Sequence, residues 1–409
     1  MPLRILHVLD HSVPVLDGYS NRSRSLISTQ RALGLLPSVL TGPLHNLDDQ
    51  KAPEIDLDGV HYYRTPEDNG FYWNAVRHRR PFLREWAVMR LLERRVQFLL
   101  RSGEFDLVHA HSPALCGLAA ARAAKALGVP FVYEIRSFWE DGTDQSTRSL
   151  RYQLARGLES RVVKWADAVV GIAKPILADI ASRGVPSSRL FHVPNGVDSA
   201  RFVPRPRDND LATKLGVHGI PTLGFIGTFF PWEGVAWLVE AASALHRRGV
   251  QFKLLIVGDG ADAEAVRAAI QNQQASSFVS YLGRVPHEDV ERYYSIMDVL
   301  VYPRRRLRIT EFVTPLKPLE AMALAKAVLG SNVGGIRELI EPEETGLLFE
   351  PADIDDFCRQ SERLLNDPAL RQKLGTKARV RTCQEKDWKT ITRLYEPAYA
   401  AARENARRP

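Results

Sequence analysis

Cysteine is scarce in this 409-residue chain: Cys116, Cys358 and Cys383 are odd in number and far apart. They match no zinc-ligand spacing and no disulfide framework, so a reduced, cytoplasmic setting is the simplest expectation. No apolar run reaches the ~18 residues of a membrane span. The opening Met-Pro-Leu-Arg-Ile-Leu-His-Val-Leu-Asp is too briefly apolar for a secretion signal and has no small-residue cleavage site after it, so it reads as a first strand. There is no short-period repeat and no low-complexity tract, which argues against a repeat architecture.

What is present is ordinary for a globular protein, 45% apolar and 25% charged residues. The length suits two or three domains, each with its own core. The net charge of +7 and pI near 9.3 imply an acidic partner without naming it. Base is densest at Arg77, Arg79, Arg80, Arg84, Arg90, Arg94, Arg95 and Arg101, interleaved with Trp73, Phe82, Trp86, Met89, Leu92 and Phe98. That pattern suits an anionic membrane surface or, equally, an amphipathic helix with a solvated arginine face. No recognition motif accompanies the charge, so no nucleic-acid partner is expected.

Short apolar runs alternate with helical patterns along the chain. Candidate strands are Ile5–Leu9, Ser38–Thr41, Leu107–Ala110, Phe131–Ile135, Ala168–Ile172 and Leu190–Val193, then Thr222–Ile226, Phe252–Val257, Val279–Leu282, Val299–Tyr302, Ala327–Gly330 and Gly346–Phe349. Such alternation means parallel sheets covered on both faces, and the number of strands favours two similar domains. The turn-rich stretch Pro194–Pro206 separates the two series. We expect an α/β protein with domains at 1–195 and 196–385, and with 386–409 as a terminal segment in which Trp388–Arg407 reads as one helix.

The most informative stretch is 308–339, Arg-Ile-Thr-Glu-Phe-Val-Thr-Pro-Leu-Lys-Pro-Leu-Glu-Ala-Met-Ala-Leu-Ala-Lys-Ala-Val-Leu-Gly-Ser-Asn-Val-Gly-Gly-Ile-Arg-Glu-Leu. Its middle reads as a helix starting near Pro315–Pro318, where proline forfeits only an amide that was unpaired anyway. Unpaired first-turn amides and the Lys317 ammonium suit a phosphate. The Glu320 carboxylate suits a ribose diol instead. Together they suit a nucleoside diphosphate.

This stretch resembles the donor-binding signature of the retaining glycosyltransferases of family 4, which have the two-domain GT-B fold. The matching pieces are Pro318–Ala323, Ala327–Gly330, Gly334–Gly335, Glu338–Leu339 and Thr345-Gly-Leu-Leu-Phe349. Within that family the Thr-Pro-Leu-Lys-Pro-Leu-Glu run is similar to bacterial exopolysaccharide transferases, including those encoded with exosortase systems. The resemblance implies two doubly wound Rossmann-like domains facing a cleft, with the terminal helix bracing the first. It implies metal-independent transfer of a hexose from a nucleoside-diphosphate sugar, UDP favoured over GDP, to a glycan or lipid-linked acceptor. By the same resemblance the leaving diphosphate itself takes the acceptor proton, so no dedicated protein base is required, and no resident cofactor is expected. The protein is then cytoplasmic, with peripheral contact at the inner face of the cell membrane as an option. No Asp-x-Asp closes a candidate strand, in keeping with the absence of a metal site for the diphosphate.

The resemblance also distributes roles. His111, in Asp106-Leu-Val-His-Ala-His-Ser-Pro113, is expected to bind a sugar hydroxyl and steady charge at the anomeric carbon, alongside Lys317 and Glu320; His109 reads as core. Donor contacts are expected from Gly18, Gly227, Thr228, Arg284, Val285, Thr314, Pro315, Leu316, Lys317 and Glu320. Acceptor contacts are expected from Tyr19, Arg22, Arg136 and Glu140. Three features depart from the family. Asp17-Gly18 replaces two glycines, and Thr228 and Glu233 stand where relatives carry a basic pair. Phe312 occupies the place of the first of two glutamates, with Glu311 offset by one. Ile256-Val-Gly-Asp-Gly has the look of a dinucleotide fingerprint, but no acidic residue ends the next strand, so Gly258 and Gly260 read as a tight turn. The alternatives are a sugar-nucleotide 2-epimerase of similar fold and a degenerate scaffold in a polysaccharide assembly complex.

Overall fold

Near-continuous apolar runs bounded by turn formers build strands buried on both faces, the mark of parallel sheets under helices. The computed structural model describes residues 2–15, 17–47, 53–67, 69–78, 82–143, 149–286 and 288–407. It divides into two units, Met1–Pro194 with Trp388–Pro409, and Asn195–Asp387.

Unit 1 carries β1 (Arg4–Leu9), β2 (Leu36–Thr41), β3 (Glu54–Leu57), β4 (Val60–Tyr63), β5 (Leu107–His111), β6 (Phe131–Ile135), β7 (Ala168–Gly171) and β8 (Leu190–His192). Their order is β3-β4-β2-β1-β5-β6-β7-β8. All pairings are parallel except β3 with β4. Unit 2 carries β9 (Thr222–Thr228), β10 (Lys253–Asp259), β11 (Val279–Gly283), β12 (Val299–Tyr302), β13 (Ala327–Ser331) and β14 (Leu347–Phe349), all parallel, in the order β11-β10-β9-β12-β13-β14. Each unit is thus a Rossmann-like doubly wound sheet, and the α/β expectation holds. Central strands are sealed: all four residues of β12 and all five of β5 are buried.

Two local features differ from the expectations. The β3–β4 hairpin was not among the candidate strands, although Asp58-Gly59 is a strong hairpin signal. Both residues take positive φ, 53° and 74°, as a tight two-residue turn requires. The terminal stretch is two helices, Trp388–Arg393 and Glu396–Asn405. Pro397 lacks an amide hydrogen, so it is accommodated in a first helical turn and not in the interior of one long helix.

The basic stretch forms helices Phe71–Arg77 and Leu83–Leu100. Trp73 and Leu92 are core, whereas Phe71, Phe82, Trp86 and Phe98 are exposed. Arg90 pairs with Glu93, Arg95 with Glu54, and Arg94 lies over the Tyr72 ring. Arg79 and Arg80 fall outside the described residues. Among the described residues no helix is long and apolar enough to cross a membrane.

Candidate active-site residues of the two units

In unit 2 the functional side chains collect at the carboxyl ends of β9 and β12, where ligands of open α/β sheets bind. The helix Lys317–Ala323 begins here with Pro318 in its first turn. Pro315 and Pro318 have no amide hydrogen. Among the described residues the Leu316 and Lys317 amides make no backbone hydrogen bond, so they remain as donors. Lys317 Nζ donates to Glu320 Oε2 at 3.0 Å and Oε1 at 3.3 Å, yet 30% of the lysine side chain stays exposed against 13% of the glutamate's. A Cβ built on Gly227 would lie 3.9 Å from Lys317 Cγ, so the end of β9 and the lysine are neighbours. Thr228 is exposed beside them. Arg284 is exposed, 3.7 Å from Asp259, and Val285 packs partly on the unit 2 core.

Two tyrosines missed in the sequence fix this corner. Tyr294 Oη donates to Glu320 Oε2 at 3.1 Å, and Tyr302 Oη to the Lys317 carbonyl at 2.9 Å. Tyr302 ends a strand at the ligand-bearing edge, which was the available signal. Thr314 needs correction as a donor contact: it is buried, and both its hydroxyl and its carbonyl accept from Asn195 Nδ2. Glu233, standing where relatives carry a base, accepts from buried Arg304. Arg306 pairs with Glu311 and Glu350, and Arg308 lies over Phe312. Glu311 Oε2 accepts from the Gly334 amide at 2.7 Å and from Arg337. Gly258 (φ 134°) is required by packing, since a Cβ there would sit 1.8 Å from the Gly227 carbonyl oxygen. A separate cavity of about 610 Å³, lined by Pro231, Gly234, Trp237, Asp262, Arg305 and Pro351, contains neither Lys317 nor Glu320.

Unit 1 presents a different arrangement. His111 is fully buried, with Nε2 3.0 Å from His7 Nδ1, while Arg136 Nη2 donates to its Nδ1 at 2.8 Å. Both ring nitrogens are engaged and no surface remains, so the expected sugar contact is corrected to a framework role. Burial alone would raise the Glu134 pKa, but Arg22 and Arg136 hold this carboxyl well below its usual range. Arg22 is buried on Glu134 and the carbonyls of Val193 and Pro194; Glu140 is buried on Arg183. Neither presents surface to an acceptor, which removes both from the acceptor set. Arg136 donates to Glu134, the Tyr19 carbonyl and Ser23, and lies over the Tyr19 ring. Tyr19 is half-buried at this edge and Gly18 is exposed, with open space where a Cβ would stand.

Sequence reasoning also missed Asp10 and His11. His11 bridges Asp10 (3.0 Å) and Asp17 (2.8 Å) and packs on Tyr19. Burial would lower its pKa, but the two carboxylates outweigh that and raise it to about 9. The signal was an Asp-His pair directly after β1.

Comparison with known proteins agrees with this division. Residues 17–196 match the family described as glycosyl transferase 4-like domain, and residues 209–381 that described as glycosyl transferases group 1. A GDP-mannose-dependent alpha-mannosyltransferase of Mycolicibacterium smegmatis is 30% identical over 299 residues, 72% of each chain. Among solved structures, sucrose-phosphate synthase of Thermosynechococcus elongatus superposes with a TM-score of 0.77 at 22% identity, covering 97% of this chain and all of the other. HepE of Anabaena, in complex with UDP-glucose, gives 0.73 at 18%, covering 97% and 99%. The chain belongs to the group 1, family-4-like glycosyltransferases and has the GT-B fold. It is accordingly a glycosyltransferase.

Proposed function

We propose that this glycosyltransferase moves a hexose from a nucleoside-diphosphate sugar onto a lipid-linked glycan in bacterial exopolysaccharide synthesis. The observation that carries this reading is the convergence of Lys317, two unpaired amides and Gly227 at one strand edge of unit 2. That corner supplies the cation and dipoles that a departing diphosphate needs. Leu316, Thr228 and Arg284 extend it toward the rest of the donor, and Glu320 takes the ribose. In a retaining, same-face displacement the diphosphate oxygen accepts the proton of the attacking hydroxyl as the glycosidic bond breaks. Protein groups then act by positioning and charge stabilisation. Lys317 does the work of a divalent cation, so chelators leave the rate unchanged.

The donor base favoured is uridine. The GDP-mannose dependence of the mycobacterial relative makes guanosine the comparator. On unit 1, Tyr19 is the retained acceptor-side residue, since Arg136, like Arg22, is buried with all three guanidinium nitrogens engaged, and Phe71, Phe82, Trp86 and Phe98 among arginines suit an anionic membrane surface carrying the acceptor. The test is a thermal-shift screen of UDP- and GDP-sugars, followed by incubation of the stabilising donor with and without glycan acceptor. Stabilisation by a nucleotide sugar and acceptor-dependent release of nucleoside diphosphate are expected. A new sugar nucleotide formed without acceptor would indicate an epimerase, and no binding of any nucleotide a degenerate scaffold.

A further inference from the structure

We propose that the cavity of about 610 Å³ in unit 2 is a second carbohydrate subsite, which holds a neutral segment of the acceptor glycan away from its reacting end. The proposal rests on the reading above that the acceptor is a glycan. The volume falls within the ~300–1,000 Å³ of small-molecule sites. The walls come from loops that follow strands of the sheet: Pro231 after β9, Asp262 after β10, Pro303 and Arg305 after β12, and Pro351 after β14. The cavity therefore lies at the same carboxyl edge as the Lys317 corner while sharing no residue with it.

Most of the lining is apolar, with Trp237, Leu307 and the three prolines prominent. Trp237 is held by Phe349, at 5.7 Å between centroids and 11° between planes, and by Phe357 at 77°, so the indole is a rigid wall. Asp262 and Arg305 are the polar exceptions. Burial raises the Asp262 pKa and the Arg305 guanidinium opposes that rise, so the two charges lie close enough to interact. Asp262 takes no cap hydrogen bond from the helix Ala263–Asn272 that it precedes. Among the described residues neither side chain has a hydrogen-bond or ion-pair partner, which leaves their bonding capacity for a ligand.

Charge selects the kind of ligand. Arg306, the other cation of the lining, is matched by Glu311 and Glu350. Arg305 and Asp262 offset each other, so the cavity is locally neutral although the chain as a whole is basic. A hydrocarbon would suit the walls but leave Asp262 and Arg305 dehydrated and unpaired. A phosphate would meet the repulsion of the Asp262 carboxylate. A sugar ring satisfies both demands: its C–H faces pack on indole and proline, and its hydroxyls donate to the carboxylate and accept from the guanidinium. Pro231 also sits between Phe230 and Trp232, whose rings stack at 4.6 Å and 11°, with 41% of Phe230 exposed. This ring pair occupies the loop where relatives carry their basic pair, and it adds apolar surface for a glycan.

The test titrates the full chain, without nucleotide, with neutral gluco-, manno- and galacto-oligosaccharides, using ligand-observed NMR, with inorganic phosphate and hexanol as competitors. At least one oligosaccharide should bind, and neither competitor should displace it. Asp262→Asn and Arg305→Gln keep the shape of the cavity. Each should weaken that binding about tenfold while melting temperature and uridine diphosphate affinity stay unchanged. In transfer assays both variants should raise the acceptor KM with kcat retained. No oligosaccharide binding, equal binding in the native protein and both variants, or displacement by phosphate would overturn the proposal. Uridine diphosphate titration of the same samples separates it from the donor reading: an empty cavity beside a working donor corner overturns this proposal alone, whereas failure of both overturns the glycosyl-transfer reading with it.

Discussion

The two units carry similar sheets but use their charges in opposite ways. At the ends of β5 and β6 in unit 1, Glu134 is engaged by Arg22, Arg136 and Tyr395, all buried. In unit 2, Lys317 is held by one glutamate and keeps surface and donors for an anion. A charge matched inside the fold gains little net stability over an apolar replacement, but removing its partner costs several kcal/mol, because the remaining charge is left buried and uncompensated. A charge left partly exposed contributes little to stability and keeps donors free for an anion.

Breaking the internal arrangement should have the largest effect. Glu134→Gln leaves two buried guanidiniums without a counter-charge, and denaturant unfolding should show a loss of about 3–5 kcal/mol. Next, Gly258→Ala forces a Cβ into the Gly227 carbonyl at positive φ. It should lower stability by about 3 kcal/mol and abolish nucleotide-induced thermal shift, because the end of β9 moves with it. Glu320→Gln should weaken nucleotide binding about tenfold while lowering stability by no more than about 1 kcal/mol. An equal drop in melting temperature with and without nucleotide would make Glu320 structural.

The smallest effect is a pH dependence at His11, which faces Asp10, Asp17 and Tyr19. Its folded pKa of about 9 exceeds the ordinary 6.5. The proton therefore stabilises the fold fully below about pH 6.5, and that contribution is lost as pH rises through 9. Denaturation curves between these values should slope downward for the native protein and lie flatter for His11→Gln.

Alternation of apolar runs made both sheets legible, since parallel strands buried on both faces leave little else in their sequence. The Lys317–Glu320 pair was legible too, because a helix start fixes which residues share its first turn. What escaped was whether a charge was already matched. His111, Arg22, Glu140 and Thr314 have the right residue types at the right strand ends, but their partners (His7, Glu134, Arg183 and Asn195) are distant in sequence or on another element. Periodicity cannot report such pairings. The split of the terminal helix at Leu394–Tyr395 was readable from Pro397, and the β3–β4 hairpin from Asp58-Gly59.

The central claim is that the exposed ammonium of unit 2 carries the diphosphate. Calorimetric titration of uridine diphosphate into the native protein and into Lys317→Ala tests it most directly, with guanosine diphosphate as the comparator. Affinity should fall about 10–100-fold in the variant, the range of a charge-assisted hydrogen bond of ~1.5–3 kcal/mol, with melting temperature in the absence of nucleotide nearly unchanged. Equal affinity in the two proteins would contradict the account.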